Sequence, residues 1–293
     1  MPQIHPTTVL GKNVQIGKDT VVEAHVIIED GVNIGAYNRI RAGAYLCSGT
    51  EIGDHNDIHM HAVIGHAPQD LAYQNQPTRT VIGNHNQIRE FATLHRGTKP
   101  GTATVIGDHN YIMAYCHLAH NVTLGHKVIM VNQASLTGYC EVEDGAFLSG
   151  MTGFHQFTRI GRLAMVSALS AVNKDIPPYF VCGGRPGVIV GINSVGLRRA
   201  GVSAEVRQEI KQAFRLLYRS GLNTAQALEA IKRDLKSEEV QHLVKFIEAS
   251  KRGICDAASE SDTLRARKGA ASLPADLKAG LPSAADPEEF PAE

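Results

Sequence analysis

Aliphatic residues recur along the first two thirds of the chain at intervals of six. Stepping from Ile4 gives Leu10, Ile16, Val22, Ile28, Ile34, Ile40, Leu46, Ile52, Ile58 and Ile64. The phase fails at Asp70 and Gln76, returns at Ile82, Ile88 and Leu94, fails at Pro100, and resumes at Ile106. From there it runs through Ile112, Leu118, Leu124, Met130, Leu136, Val142, Leu148, Phe154, Ile160 and Val166 to Val172. No helix has this period. One short strand and one corner per unit accounts for it. Gly often follows the aliphatic, as at Gly17, Gly53 and Gly107, and tight corner geometry favours Gly, Asn and Asp. Three units make a triangular coil of about 18 residues, and successive coils pair as parallel strands about 4.8 Å apart. Roughly nine coils give a prism ~40 Å tall at that spacing.

The two phase breaks predict loops thrown out of a rigid wall, over about 66–81 and 96–105, where specificity tends to reside. In the first, Asp70 is either a partner for a substrate hydroxyl or a solvated acid. In the second, the basic, glycine-rich run from Arg96 to Thr102 could touch phosphate, meet a neighbouring subunit or only turn a corner. His55, His85 and His109, each in a Gly-(Asp/Asn)-His-Asn run, read as solvated corner residues. Pro177 and Pro178 cannot donate to a strand ladder and end the repeat, which places the β-helix at 1–180 and a linker at 181–202. Beyond Ser203 the period becomes helical: Val206, Ile210, Ala213, Phe214 and Leu217; then Leu228, Ile231 and Leu235; then Val240, Leu243, Val244 and Ile247. These predict three helices in a C-terminal α-helical domain over 203–255. From 256 to 293 the chain is rich in Ala, Ser, Pro and charge without apolar periodicity, which predicts a disordered tail.

Composition fits thin layers of small side chains. Of 293 residues 5% are aromatic, none is Trp and 28 are Gly. The formal net charge of zero gives no general attraction to nucleic acid or anionic membrane. No apolar run approaches the ~18 residues of a membrane span, and the first residues lack a signal-peptide pattern, so a cytoplasmic protein is expected. Five scattered cysteines without a C-x-x-C pair suggest neither a disulfide framework nor a zinc knuckle. Chemistry concentrates at His117 and His120, which flank the Leu118 that opens a unit and so lie close together on an edge of the scaffold. No suitable third ligand is spaced for a shared zinc site, so no metal is expected.

The six-residue pattern resembles the hexapeptide repeat of left-handed parallel β-helices, and that handedness comes from the resemblance. Further motifs stand in order: Pro68-Gln69-Asp70-Leu71 with Pro77-Thr78-Arg79, Ile88-Arg89-Glu90 with His95-Arg96-Gly97, His117-Leu118-Ala119-His120, and His155-Gln156-Phe157. They continue with Asp175-Ile176-Pro177-Pro178-Tyr179, Gly196-Leu197-Arg198-Arg199 and Arg252-Gly253-Ile254. Over about residues 2–255 the set resembles acyl-carrier-protein-dependent UDP-N-acetylglucosamine O-acyltransferases, which begin lipid A assembly. The resemblance implies a mainly β fold, a left-handed parallel β-helix followed by an α-helical domain. It also implies a homotrimer with active sites in the clefts between prisms. No cofactor is implied, the acyl donor being the thioester of acyl carrier protein. By the resemblance His120 is the general base for the glucosamine 3-hydroxyl, and the Gly138 N–H stabilises the oxyanion. Gln69, Asp70 and His117 contact the sugar nucleotide. His155 and Gln156 line the cleft, and Asn193 and Arg199 approach the nucleotide.

The chain departs from that family at informative places. Asn121 stands where an Asp usually follows the base, and an amide cannot stabilise an imidazolium as a carboxylate does. Ala72 replaces a usual Lys, Tyr139 a His, Val195 a Glu and Ala200 an Arg, so the acceptor need not be the usual sugar nucleotide; a 3-amino analogue is one possibility. Ala168 stands where a Gly can admit a long acyl tail, which predicts a shorter chain. A trimeric paralogue that binds sugar nucleotide or acyl carrier protein without turnover is the alternative these departures raise.

Overall fold

The hexads become three flat parallel sheets. The computed structural model describes residues 1–259. The first sheet starts at Gln3–Ile4, the second at Val9–Leu10 and the third at Gln15–Ile16, and each strand pairs with its equivalent one coil on, as Gln3 with Val21 and Ile4 with Val22. The inward aliphatics form continuous columns. Ile28, Leu46, Ile64, Leu94, Leu118 and Leu136 of the second sheet are each fully or almost fully buried. Each contributes about 1.5–3 kcal/mol by leaving water, and the backbone groups between them are satisfied by the coils above and below.

Corner geometry differs in one respect from expectation. Apart from Gly65, the glycines after the aliphatics are not the left-handed residues; these are residues such as His55, His85, His109, Asn121, Tyr139 and Phe157, with φ of 58°, 57°, 58°, 59°, 59° and 65°. Gly53 is required for close approach instead: a Cβ there would lie 2.7 Å from the Gly83 carbonyl oxygen on the next coil.

Both loops leave the same corner. The strands Val63–His66 and Thr93–His95 are neighbours in the second sheet, directly below His117–Leu118. The loop of 67–78 follows the first and rejoins at Arg79–Ile82; the loop of 96–102 follows the second and rejoins at Ala103–Ile106. They brace each other through Gly101 N–H to the Pro77 carbonyl (3.2 Å) and the Gln76 side-chain amide to the Thr98 carbonyl.

The stretch 181–202, expected as a linker, is ordered secondary structure. Phe180–Gly183 adds a parallel strand to the first sheet and Val188–Ile192 returns antiparallel to it. Helix α1, Ser194–Arg199, follows, so four helices rather than three close the described chain: α2 is Ala204–Tyr218, α3 Thr224–Asp234 and α4 Glu238–Glu248. Ser203 caps α2 through the Val206 N–H, and the predicted stripes face inward, with Ile210, Ala213, Ile231, Val240 and Leu243 fully buried. The helices seat on the end of the column, Phe214 edge-on to Phe180 (5.5 Å) and Arg159 over the Phe246 ring (4.1 Å). Asp256 and Ala257, placed in the tail by sequence, still join the fold through Lys174 and Ile189; the tail beyond 259 lies outside the described residues.

Candidate active site

A regular corner of this column satisfies its own backbone. The N–H of Lys12, for example, donates to Asp30 Oδ1 one coil on, at 2.6 Å. At the same corner higher up, Gly138 takes the place of such a side chain, and the His120 ring lies over it. A Cβ at Gly138 would fall 2.3 Å from His120 Cε1, so only Gly allows the ring to sit there. The next residue in the column is the exposed Gln156, and among the described residues the Gly138 N–H donates to no acceptor. A free N–H thus sits beside an imidazole.

Polar side chains stand at both edges of the ring. His120 is 5% exposed. Its Nδ1 lies 3.1 Å from Asn121 Oδ1, and its Nε2 lies 3.4 Å from Asp70 Oδ2 in the first loop. Asn121 Oδ1 also accepts from the Thr98 N–H (3.0 Å) and hydroxyl (2.9 Å). An N–H can only donate, so the amide presents oxygen to this side, and His120 Nδ1 carries the proton. Nε2 faces the loop, and in the neutral ring it is the nitrogen with the lone pair. Tyr139 stands edge-on to His120 with centroids 5.2 Å apart and stacks on Phe157.

Three further histidines line the adjoining face of the second sheet. His117 Nδ1 meets Thr93 Oγ1 at 2.7 Å, and His95 lies edge-on to His117, centroids 4.8 Å apart, with His66 6.1 Å from His95. Burial, reinforced by the neighbouring imidazoles of His117, His66 and His120, pushes His95 down to about 4. His117 is lowered as well, by burial first and then by His120. His95 and His117 are therefore neutral near neutral pH. A cleft of about 430 Å³ lined by Glu29, Tyr45, Val63, His66, Thr93 and His95 continues from it.

The structure joins some predicted residues and separates others. Asp70, His117, His120, Asn121 and Gly138 share one corner and the face beside it. Gln69, next to Asp70, is exposed, as are His155 and Gln156 above Gly138. Asn193 is occupied elsewhere: its Oδ1 caps α1 through the Gly196 N–H (3.0 Å) and its Nδ2 donates to the Leu163 carbonyl (2.9 Å). Arg199, in the last turn of α1, and Ala168, at a corner before Leu169, are exposed. Thr98 was missed by sequence reasoning. A signal existed, because Ile64, Leu94 and Leu118 occupy one column and both phase breaks therefore open at the corner of His120. Among the described residues no group of three or more His, Cys, Asp or Glu is arranged to hold a metal ion.

A column of such hexads in three parallel sheets is a hexapeptide-repeat β-helix. Residues 7–42 and 103–138 match the family described as "Bacterial transferase hexapeptide (six repeats)", and residues 175–255 match "Udp N-acetylglucosamine O-acyltransferase; Domain 2". The acyl-[acyl-carrier-protein]--UDP-N-acetylglucosamine O-acyltransferase of Myxococcus xanthus is 40% identical over 256 residues, 87% of this chain and 99% of the relative. That of Thermodesulfovibrio yellowstonii is 43% identical over 257 residues, 87% and 100%. The crystal structure of the Francisella novicida UDP-N-acetylglucosamine acyltransferase superimposes with a TM-score of 0.85 at 33% identity, covering 90% of this chain and 98% of that one. The chain belongs to the acyl-carrier-protein-dependent UDP-N-acetylglucosamine O-acyltransferase family. No helix among the described residues is long and apolar enough to cross a membrane.

Proposed function

We propose that this protein transfers a 3-hydroxyacyl chain from acyl carrier protein to the 3-position of UDP-N-acetylglucosamine or its 3-amino analogue, in the cytoplasm, as the first step of lipid A assembly. His120 Nε2 takes the proton from the acceptor as it attacks the thioester carbonyl carbon. The Gly138 N–H receives the oxyanion. The C–S bond then breaks, and the thiolate leaves with the proton that the imidazolium returns. The observation that carries this reading is the contact of His120 Nδ1 with the Asn121 oxygen, which makes Nδ1 the protonated nitrogen of a neutral ring and leaves Nε2 beside Asp70 and above a free N–H.

The 3-amino acceptor has its own support. Nε2 and Asp70 Oδ2 are two acceptors 3.4 Å apart. An amine seated against both satisfies each with one of its protons, whereas a hydroxyl has one proton for two acceptors. An amine also attacks before it must be deprotonated, which suits a base backed by an amide rather than a carboxylate. Gln69 and His117 hold the sugar beside Asp70, and His155 and Gln156 line the groove above it. Asn193 stiffens the segment that carries Arg199 to the nucleotide.

A homotrimer supplies the other wall. Phe91, Tyr115, Met151 and Leu169 are exposed apolar residues along one corner, with Gln133 between Tyr115 and Met151, and exposed apolar surface of this kind marks an interface or a channel for an apolar ligand. Ala168 precedes the last of these and narrows the channel, which favours shorter acyl chains. The test is an acylation assay with carrier-protein thioesters of several lengths and UDP-sugars bearing 3-OH or 3-NH2. Transfer to one of these sugars, with longer donors accepted by Ala168→Gly, is expected. If no sugar is acylated by a folded trimer, the non-catalytic paralogue is the correct reading.

A further inference from the structure

Asn121 and Tyr139, two of the places where this chain departs from its relatives' usual residues, meet at Thr98. The Thr98 hydroxyl has one proton, and it goes to Asn121 Oδ1 at 2.9 Å. The 3.0 Å contact between Thr98 Oγ1 and the Tyr139 hydroxyl is therefore made with Tyr139 donating. Protons run one way: Tyr139 to Thr98, Thr98 to Asn121, and His120 Nδ1 to that same Asn121 oxygen. Thr98 is 5% exposed and Tyr139 is packed between His120 and Phe157, so neither is freely replaced by water.

A carboxylate at 121 would need no such chain. Its two oxygens are alike, and either orientation accepts from His120 Nδ1. An amide has a right and a wrong way round. Turned over, its NH2 would face Nδ1, which would then have to be the unprotonated nitrogen, and the proton would move to Nε2, where it blocks the base. Two donors from Thr98 on one oxygen oppose that turn, and Tyr139 holds the Thr98 hydroxyl in the orientation that does so.

We infer that Thr98 and Tyr139 are positioning residues for His120, fixing the Asn121 amide and through it the reactive imidazole tautomer. This rests on His120 being the base. The test combines catalysis with a direct reading of the ring in the full-length protein. Thr98→Val is expected to lower kcat about fivefold to tenfold, the scale of one ordinary hydrogen bond, with KM for the sugar nucleotide unchanged and Thr98→Ser restoring the rate. Tyr139→Phe lowers it less. In an Asn121→Asp background, Thr98→Val should change kcat less than twofold, because a carboxylate cannot turn the wrong way. In 15N-histidine-labelled protein, with the His120 signals assigned by their loss in His120→Ala, the wild type should show a protonated Nδ1. Thr98→Val should show population of the Nε2–H form.

Equal losses from Thr98→Val in both backgrounds, or an unchanged His120 tautomer in Thr98→Val, would overturn the inference. A fully active His120→Ala would instead remove the base itself. The nitrogen signals report the tautomer whether or not turnover is seen, which separates the two failures.

Discussion

At the corner joining the third sheet to the first, Tyr37, His55, His85 and His109 stack face to face at 4.8, 4.7 and 4.7 Å. Beside them the N–H groups of Ala36, Asp54 and Asn84 each donate to the side chain one coil on, and Asn38, Asn56, Asn86 and Asn110 form a buried amide ladder. At the corner joining the second sheet to the third, His120 has Gly138 above it in place of a fourth ladder residue, and two loops reach in from below. Both corners are histidine-rich and have the same backbone turn. The difference is what stands over the turn: at the first corner side chains accept the turn N–H groups and the rings stack on one another, and at the second the Gly138 N–H is left without an acceptor beside the His120 ring. On the proposed function, reactivity lies where the repeat is left unfinished.

That contrast can be broken from either side. His120→Ala should reduce turnover about 10³-fold, within the range of a lost general base, with thermal unfolding unchanged. Gly138→Ala, which completes the ladder sterically, should push the ring off its seat and cost about 10²-fold in kcat, the scale of a misplacement of about 1 Å. A pH titration of stability addresses the neighbouring face. His95 has a folded pKa of about 4, below its ordinary 6.5, so the unfolded chain binds more protons between these values. Its contribution is complete above about pH 6.5 and is lost as pH falls toward 4, up to ~3 kcal/mol. His95→Gln should flatten that limb in urea unfolding curves measured across the window. His85→Ala, in the closed ladder, should leave kcat within twofold and cost about 2 kcal/mol of stability by urea unfolding, as befits two lost stacking pairs.

Much of the column was legible because its constraint is local and periodic. Each inward aliphatic must meet the next one coil away, and a period of six says so at sight. The linker was misjudged because Val188–Ile192 pairs antiparallel on the end of the first sheet, a single non-repeating contact that periodicity cannot signal. His120 and Asn121 stood out through their motif, and His55, His85 and His109, read as solvated corners, are exposed corner residues whose stacking on one another periodicity did not signal. The hydrogen bonds of Thr98 were out of reach for another reason. They join residues 23 and 41 positions apart through a loop that breaks the period, and only the knowledge that both breaks fall at one corner would have aimed it at Asn121.

The most direct test restores what the open corner supplies. With His120→Ala folded and saturated with carrier-protein thioester and acceptor sugar, added imidazole should fill the vacated site over Gly138 and recover acyl transfer in proportion to its neutral form. It should do nothing for the wild type. His120→Ala protein that transfers acyl groups at the wild-type rate without imidazole would contradict the account at its centre.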